Sequence, residues 1–385
     1  MTAPLTVMLV AAEASGDDRG AGLARALKRR LGDGVRFVGV GGSQMAAEGV
    51  QSPFDIAELS ILGLLEGLLA YPRVMRRVKD TVALAAREKP DVAVLIDSWG
   101  FTLRVAKGLR RLDPRLTLVK YVGPQVWATR PGRAKTLAAS VDHLLSIHAF
   151  DAPYFEAEGL PVTFVGNSAL SLDLSGADGM RLRERLGIAA DAPVLLVLPG
   201  SRPGEIARVL PPFAEAAERL KAERPDLAVI LPAAPTVAEA VKAAAPAWAH
   251  VVEGDGAKLD AMKAATVALA CSGTVTTELA MAGVPMVIGY RLGRMTHAIL
   301  KRLIRTRYIT LFNIAAQDFV APELVQDDCN GEALAAEVGR RLDDPDLRRR
   351  QVAAQDAALV KMGRGGPDPS EAAAEAVLKL LAERA

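Results

Sequence analysis

Asp97 directly follows the apolar run Val92 to Ile96, which reads as a strand. Its carboxylate then stands at the strand's carboxyl end, where it can accept a proton from an attacking hydroxyl. The same position also suits a carboxylate that caps the helix read from Trp99 to Arg111. Asp91 precedes the strand and belongs on the opposite edge. Glu13, Ser15 and Asp17 lie in Ala12-Glu13-Ala14-Ser15-Gly16-Asp17, between a first strand and a first helix. Small residues there let backbone N–H groups approach a ligand while the carboxylates bind hydroxyls. A tight turn with Ser15 or Asp17 as N-cap is the other reading. Tyr121 to Arg133 brings Gln125, Trp127, Arg130 and Arg133 into one loop, a combination that reads sugars by stacking and hydrogen bonding or closes a crossover with Trp127 filling a gap.

Two further strand-to-helix turns carry anion chemistry. Leu198-Pro199-Gly200-Ser201-Arg202-Pro203-Gly204-Glu205 offers an arginine able to form paired hydrogen bonds with a diphosphate. Ser272-Gly273-Thr274 opens a helix whose free N–H groups and dipole favour phosphate, and Glu278 lies one turn inside it. Glu278 can take both hydroxyls of a ribose or close a capping box. Together the two turns describe a nucleotide-diphosphate site. Gly39-Val40-Gly41-Gly42 lacks the full dinucleotide spacing and reads as a turn. His143, His148, His250 and His297 show no ligand spacing, so no metal site is expected and these histidines read as structural or surface residues.

The elements that position these residues alternate. Strands are predicted at Val7 to Ala11, Arg36 to Val40, Val92 to Ile96, Leu116 to Val122, His143 to Ile147 and Thr163 to Val165, with helices at Ala21 to Leu31, Val74 to Arg87 and Leu103 to Arg111. A Ser-, Asp- and Gly-rich stretch from Asn167 to Gly179 marks a boundary. The alternation then resumes with strands at Val194 to Leu198, Leu227 to Leu231, Val267 to Ala270 and Met286 to Gly289, and helices at Glu205 to Glu223, Thr236 to Ala244 and Thr274 to Ala282. This predicts two doubly wound α/β domains, 1–170 and 171–345, with a cleft at the strands' carboxyl ends, followed by C-terminal helices over 346–385.

The 385 residues are half hydrophobic, 24% charged and +2 in net charge, which disfavours a broad nucleic-acid surface. Two widely spaced cysteines and an unremarkable N-terminus fit a reducing cytoplasm, with no apolar run of the roughly 20 residues that span a bilayer. Ile61 to Leu69, followed by Arg73, Arg76, Arg77 and Lys79, and the mixed apolar and basic stretch Arg291 to Arg307 suit either a lipid surface or a core helix with a solvated face.

Taken in order, Glu13 to Asp17, Tyr121 to Ala128, Leu198 to Arg202, Ser272-Gly273-Thr274 with Glu278, Pro285 to Arg291 and Asn313 resemble the lipid-A-disaccharide synthase family over nearly the whole chain. The resemblance implies a GT-B fold and an inverting transfer of 2,3-diacylglucosamine from UDP to 2,3-diacylglucosamine 1-phosphate, at the cytoplasmic face of the inner membrane and without a cofactor. It aligns Asp97 with the candidate base and Glu13 beside it. Arg202, Glu205, Ser272, Gly273, Thr274, Glu278 and Asn313 align with the nucleotide side, and Ser15, Gln125 and Trp127 with the sugar or acceptor. The chain departs from the pattern at Trp99, Gly100 and Thr102, where the family reads Pro, Asp and Asn, and at Asn167-Ser168 and Thr129. These departures bear on acceptor choice more than on nucleotide binding. Another UDP-sugar transferase, a UDP-N-acetylglucosamine epimerase and a non-catalytic sugar-nucleotide or lipid-binding protein are the competing readings, and a homo-oligomer is left open.

Overall fold

The computed structural model describes residues 4–59, 64–170, 172–234, 237–293, 297 and 306–383, with the side chains of 64–69 and of 169 outside that description. The chain divides into two units, Met1–Ser168 with Gly365–Ala385 and Ala169–Arg364.

In the first unit, β1 (Leu5–Val10), β2 (Val35–Val40), β3 (Val92–Ile96), β4 (Thr117–Tyr121), β5 (His143–Ser146) and β6 (Val162–Phe164) form one sheet in the order β2-β1-β3-β4-β5-β6. Every pairing is parallel. Strands covered on both faces need apolar side chains in both directions, and β3 and β4 are buried at every position. One face packs Met8, Val10, Leu95, Val105 and Leu109, and the other packs Val7, Leu9, Leu23, Leu27 and Val94.

The second unit repeats the plan with β7 (Val194–Leu198), β8 (Ala228–Ala233), β9 (His250–Glu253), β10 (Val267–Ala270), β11 (Met286–Tyr290) and β12 (Glu323–Val325), in the order β12-β11-β10-β7-β8-β9 and again all parallel. The sequence pattern identifies neither β9 nor β12. Both are edge strands, short and mostly half-buried, so neither has the continuous apolar run that marks a central strand.

Three expectations change. The expected tail 346–385 is not one segment. Pro345–Lys361 packs Ala358 and Leu359 into the second core, whereas Pro369–Ala382 packs Ala373, Ala374 and Val377 onto the first sheet. The first helix begins at Ala14 with Glu13 at its N-cap position and no side-chain cap bond, so neither Ser15 nor Asp17 caps it. Asp17 is instead buried, and its carboxylate accepts from the backbone N–H groups of Gly42 (2.7 Å), Gln44 (2.9 Å) and Met45 (3.0 Å). It thereby ties the helix Ser43–Ala47 to the first one and is not available for ligand hydroxyls. Finally, the Gly39–Gly42 run starts inside β2. A Cβ on Gly39 would stand 1.8 Å from the Leu9 carbonyl oxygen, so that position requires glycine for close strand approach.

Candidate functional site

Parallel strands deliver all their carboxyl ends to one side of a sheet, and in the first unit β1, β3 and β4 deliver charge there. Asp97 follows β3 with φ +49° and Ser98 follows with φ +38°, so two consecutive residues occupy left-handed space before the helix Trp99–Leu112 starts. Such conformations are uncommon outside glycine and mark a locally constrained turn. One Asp97 oxygen accepts from its neighbour's N–H, Ser98 N, at 2.9 Å. The other faces Ser15 Oγ at 3.4 Å and Arg19 Nη1 at 3.5 Å. The N-cap residue is Ser98, without a side-chain cap bond, so the capping alternative for Asp97 does not hold. Asp91, at the other end of β3, accepts from Thr6 N at 2.7 Å.

Glu13 joins this group. Its carboxyl is raised by partial burial and by the negative charge of Asp97, against a hydrogen bond with Ser98 and the positive charge of Lys120. Lys120 went unnoticed in the sequence. Its only signal is a single lysine at a fully buried position of the apolar strand β4. Burial lowers its ammonium group to about 7, with Asp97 and then Glu13 pulling the other way. Its Nζ donates to the Asp97 backbone oxygen and to Thr102 Oγ1.

The aromatic loop behaves differently from its sugar-stacking reading. Gln125 is exposed, but Trp127 is buried, packs edge-on against His148 and Phe150, and donates from Nε1 to Asp151 Oδ1 at 2.9 Å. The gap-filling reading therefore applies to Trp127, because its polar edge is already satisfied inside the protein.

In the second unit, the ends of β7, β8 and β10 surround a cleft of about 430 Å3. Arg202, Glu205, Ser272, Gly273, Thr274 and Glu278 all line it. Arg202 is largely exposed and pairs with Glu205 at 3.2 Å. Glu278 pairs with Lys258 at 3.0 Å, and Lys258, another lining residue absent from the sequence reading, comes from the helix Asp255–Ala264. That helix escaped notice because its apolar residues do not follow a clear one-sided period. Ser272 Oγ donates to the Ile309 carbonyl oxygen at 3.2 Å. Asn313 is the exception. It is fully buried, donates to Ala321 O and Glu323 Oε1, and accepts from Ala321 N, so it braces the segment leading to β12 and does not line the cleft. Among the described residues, no group of three or more His, Cys, Asp or Glu could hold a metal.

Two units, each a parallel α/β sheet covered by helices, have the GT-B type of fold. The fold is shared with the Staphylococcus aureus MnaA–UDP structure (TM-score 0.63, 14% identity, 99% of this chain and 98% of that one) and with the calicheamicin glycosyltransferase CalG4 (TM-score 0.57, 17% identity, 99% of each). Residues 7–377 match the family described as lipid-A-disaccharide synthetase. The lipid-A-disaccharide synthase of Rhodospirillum centenum is 44% identical over 384 residues, covering 99% of this chain and 96% of that protein. The corresponding synthase of Paramagnetospirillum magneticum is 43% identical over 381 residues, covering 98% of each. The chain belongs to the lipid-A-disaccharide synthase family of glycosyltransferases.

The Trp127 cluster provides a stability test. Burial raises the Asp151 carboxyl from 3.8 to about 6, against hydrogen bonds from Ser146 and Trp127. Because the folded value lies above the unfolded one, the native state holds this proton more tightly. The contribution favours folding below about pH 4 and is lost as pH rises through about 6. Asp151→Asn cannot ionise. Relative to the parent it should therefore gain roughly 1–3 kcal/mol more at about pH 7 than at about pH 3.5. Urea titrations at the two pH values measure this, and an equal difference at both would show that Asp151 ionises freely in the native protein.

Proposed function

We propose that this enzyme transfers the 2,3-diacylglucosamine unit of a UDP-activated donor to 2,3-diacylglucosamine 1-phosphate with inversion, giving lipid A disaccharide 1-phosphate and UDP. The observation that carries the mechanism is the carboxylate pair Glu13 and Asp97 at the carboxyl ends of β1 and β3. In this scheme Asp97 takes the proton of the acceptor hydroxyl as that oxygen bonds to the anomeric carbon and the bond to UDP breaks. Glu13 and Ser15 orient the acceptor, with Gln125 at the exposed edge of the same unit. In the second unit Arg202 and the Ser272-Gly273-Thr274 turn receive the diphosphate, where charge builds up on leaving UDP. Glu278 receives the ribose. The epimerase reading has only a shared fold behind it.

The chain is also proposed to work at the cytoplasmic surface of the inner membrane. Among the described residues, no helix is long and apolar enough to cross a bilayer. Support comes from the apolar and basic stretch around the helix Leu64–Glu88, which begins earlier than the sequence pattern predicts and contains Pro72. Ile61 to Gly63 and most of Arg291 to Arg307 lie outside the described residues. Arg77 is already engaged by Glu58 and Asp80, which leaves Arg73, Arg76 and Lys79 as the cations to meet anionic headgroups. Replacing Leu64, Leu65 and Leu68 with Ser should reduce sedimentation with anionic vesicles while UDP affinity is retained. Unchanged sedimentation would remove this helix from the membrane contact.

Two variants test the chemistry. Arg202→Ala should weaken UDP binding by roughly 1.5–3 kcal/mol in calorimetry, the value of a charge-assisted contact, and unchanged affinity would exclude Arg202. Asp97→Asn should keep UDP affinity and thermal stability but lose about 100-fold or more in UDP release with both acylated sugars present. A variant retaining more than about a tenth of parental turnover, with chemistry rate-limiting, would rule out Asp97 as the base.

A further inference from the structure

We infer that Lys120 is a positioning residue for the transfer reaction: from beneath the sheet's carboxyl end it holds the Asp97 turn in place and sets a positive charge beside Glu13 and Asp97. The inference rests on the reading of Asp97 as the base.

The geometry comes first. Lys120 is buried near the end of β4, beside Leu95, Trp99, Ala106, Leu137 and Val141, in surroundings that offer an ammonium group no water. A charge so placed is retained only where oxygen atoms reach it. Two do: the backbone oxygen of Asp97 and Thr102 Oγ1, the latter at 2.8 Å. Thr102 Oγ1 in turn lies 2.8 Å from Asp97 O and 2.9 Å from Ser98 O. One amine thus grips both the left-handed residue that carries the carboxylate and the first turn of the following helix. A lysine that only filled space would not be directed at the single peptide whose side chain is the candidate base.

Charge adds a second role. Three elements bring titratable groups to this place: Glu13 after β1, Arg19 from the helix Ala14–Leu31, and Asp97 after β3. Arg19, itself part-buried, reaches Asp97 at 3.5 Å, whereas Lys120 acts from the core and on both carboxylates. Two neighbouring carboxylates resist ionising together, and an adjacent cation relieves that resistance. Lys120 is lowered only to about 7, so it remains protonated over the acidic range in which carboxylates titrate. Removing the cation should therefore push the Glu13 carboxyl further up, so that it ionises only at higher pH.

The test is the pH dependence of turnover in full-length Lys120→Met, which keeps length and loses charge, and in Lys120→Gln, which keeps a donor and loses charge. Both should retain UDP affinity. Their acidic limb in kcat/KM should move up by about one pH unit, so that turnover falls close to tenfold at pH values below the parental limb and approaches the parent at about pH 8. An acidic limb that stays in place in both variants, or a uniform loss at every pH, would overturn the inference. Unfolding of both would do the same, because Lys120 would then be a folding residue alone. Asp97→Asn, measured alongside, separates the two ideas. If it keeps parental turnover, the base assignment fails whatever Lys120 does. If it is inactive while the Lys120 profiles overlay the parent, only the Lys120 role fails.

Discussion

An ammonium group deep in a parallel sheet must find oxygen atoms within reach or give up its proton, and Lys120 does some of each. Its oxygen partners belong to the turn after β3, and its lowered proton affinity reflects the surrounding apolar side chains. The arrangement depends on the parallel register. Val92 to Ile96 of β3 align with Thr117 to Tyr121 of β4, so Lys120 stands beside Leu95 with its amine directed at the peptide that follows Ile96. A register slip of one residue would turn the amine to the other face and leave two left-handed residues unsupported. Helix start, carboxylate placement and local field in the first unit therefore share one origin.

Charge in the second unit is arranged on another principle. The pairs Arg202–Glu205 and Lys258–Glu278 edge a cleft at distances of 3.2 and 3.0 Å, with Arg202 mostly in solvent. Pairs of this kind contribute little to stability, because water screens them and long side chains lose freedom in holding them. That weakness suits ligand capture: a guanidinium loosely held by a carboxylate can turn to a diphosphate at small cost and gain a stronger, doubly hydrogen-bonded partner. The first unit buries the Lys120 amine in its core, whereas the second leaves Arg202 mostly in solvent and Lys258 part-buried.

The alternation of apolar runs with helical segments was enough to read two doubly wound units and the placement of Asp97, Glu13, Arg202 and the Ser272 turn, because each follows a continuous apolar strand. Contacts between distant segments were not legible. Asp17 looks like a cap for its own helix and caps another, since nothing local shows that Gly42 to Met45 will arrive beside it. Asn313 reads as a ligand contact on the strength of a resemblance and Trp127 from the make-up of its loop, yet both spend their polar atoms inside the protein. Lys120 shows the converse. Strand reading discounts an isolated lysine among apolar residues, and only the fold reveals that it points at the next strand's turn.

The departures at Trp99, Gly100 and Thr102 can be weighed in the same terms. Substituting polar residues next to a base would ordinarily leave its field unbalanced, but here the substitutions come with partners. The Arg133 guanidinium lies 5.0 Å from the centre of the Trp99 ring, a cation–π contact that brings a positive charge from the aromatic loop to the start of the helix. Thr102 passes the hold of Lys120 on to the turn. With Gly100 in place of an acidic residue, no second carboxylate competes at that step of the helix for the cations that serve Glu13 and Asp97. Fewer anions above the sheet and the buried Lys120 below it act in the same direction, offsetting the negative charge that Glu13 and Asp97 bring together. The altered segment is thus held by two cations, Arg133 over the Trp99 ring and Lys120 on Thr102 and the Asp97 backbone oxygen.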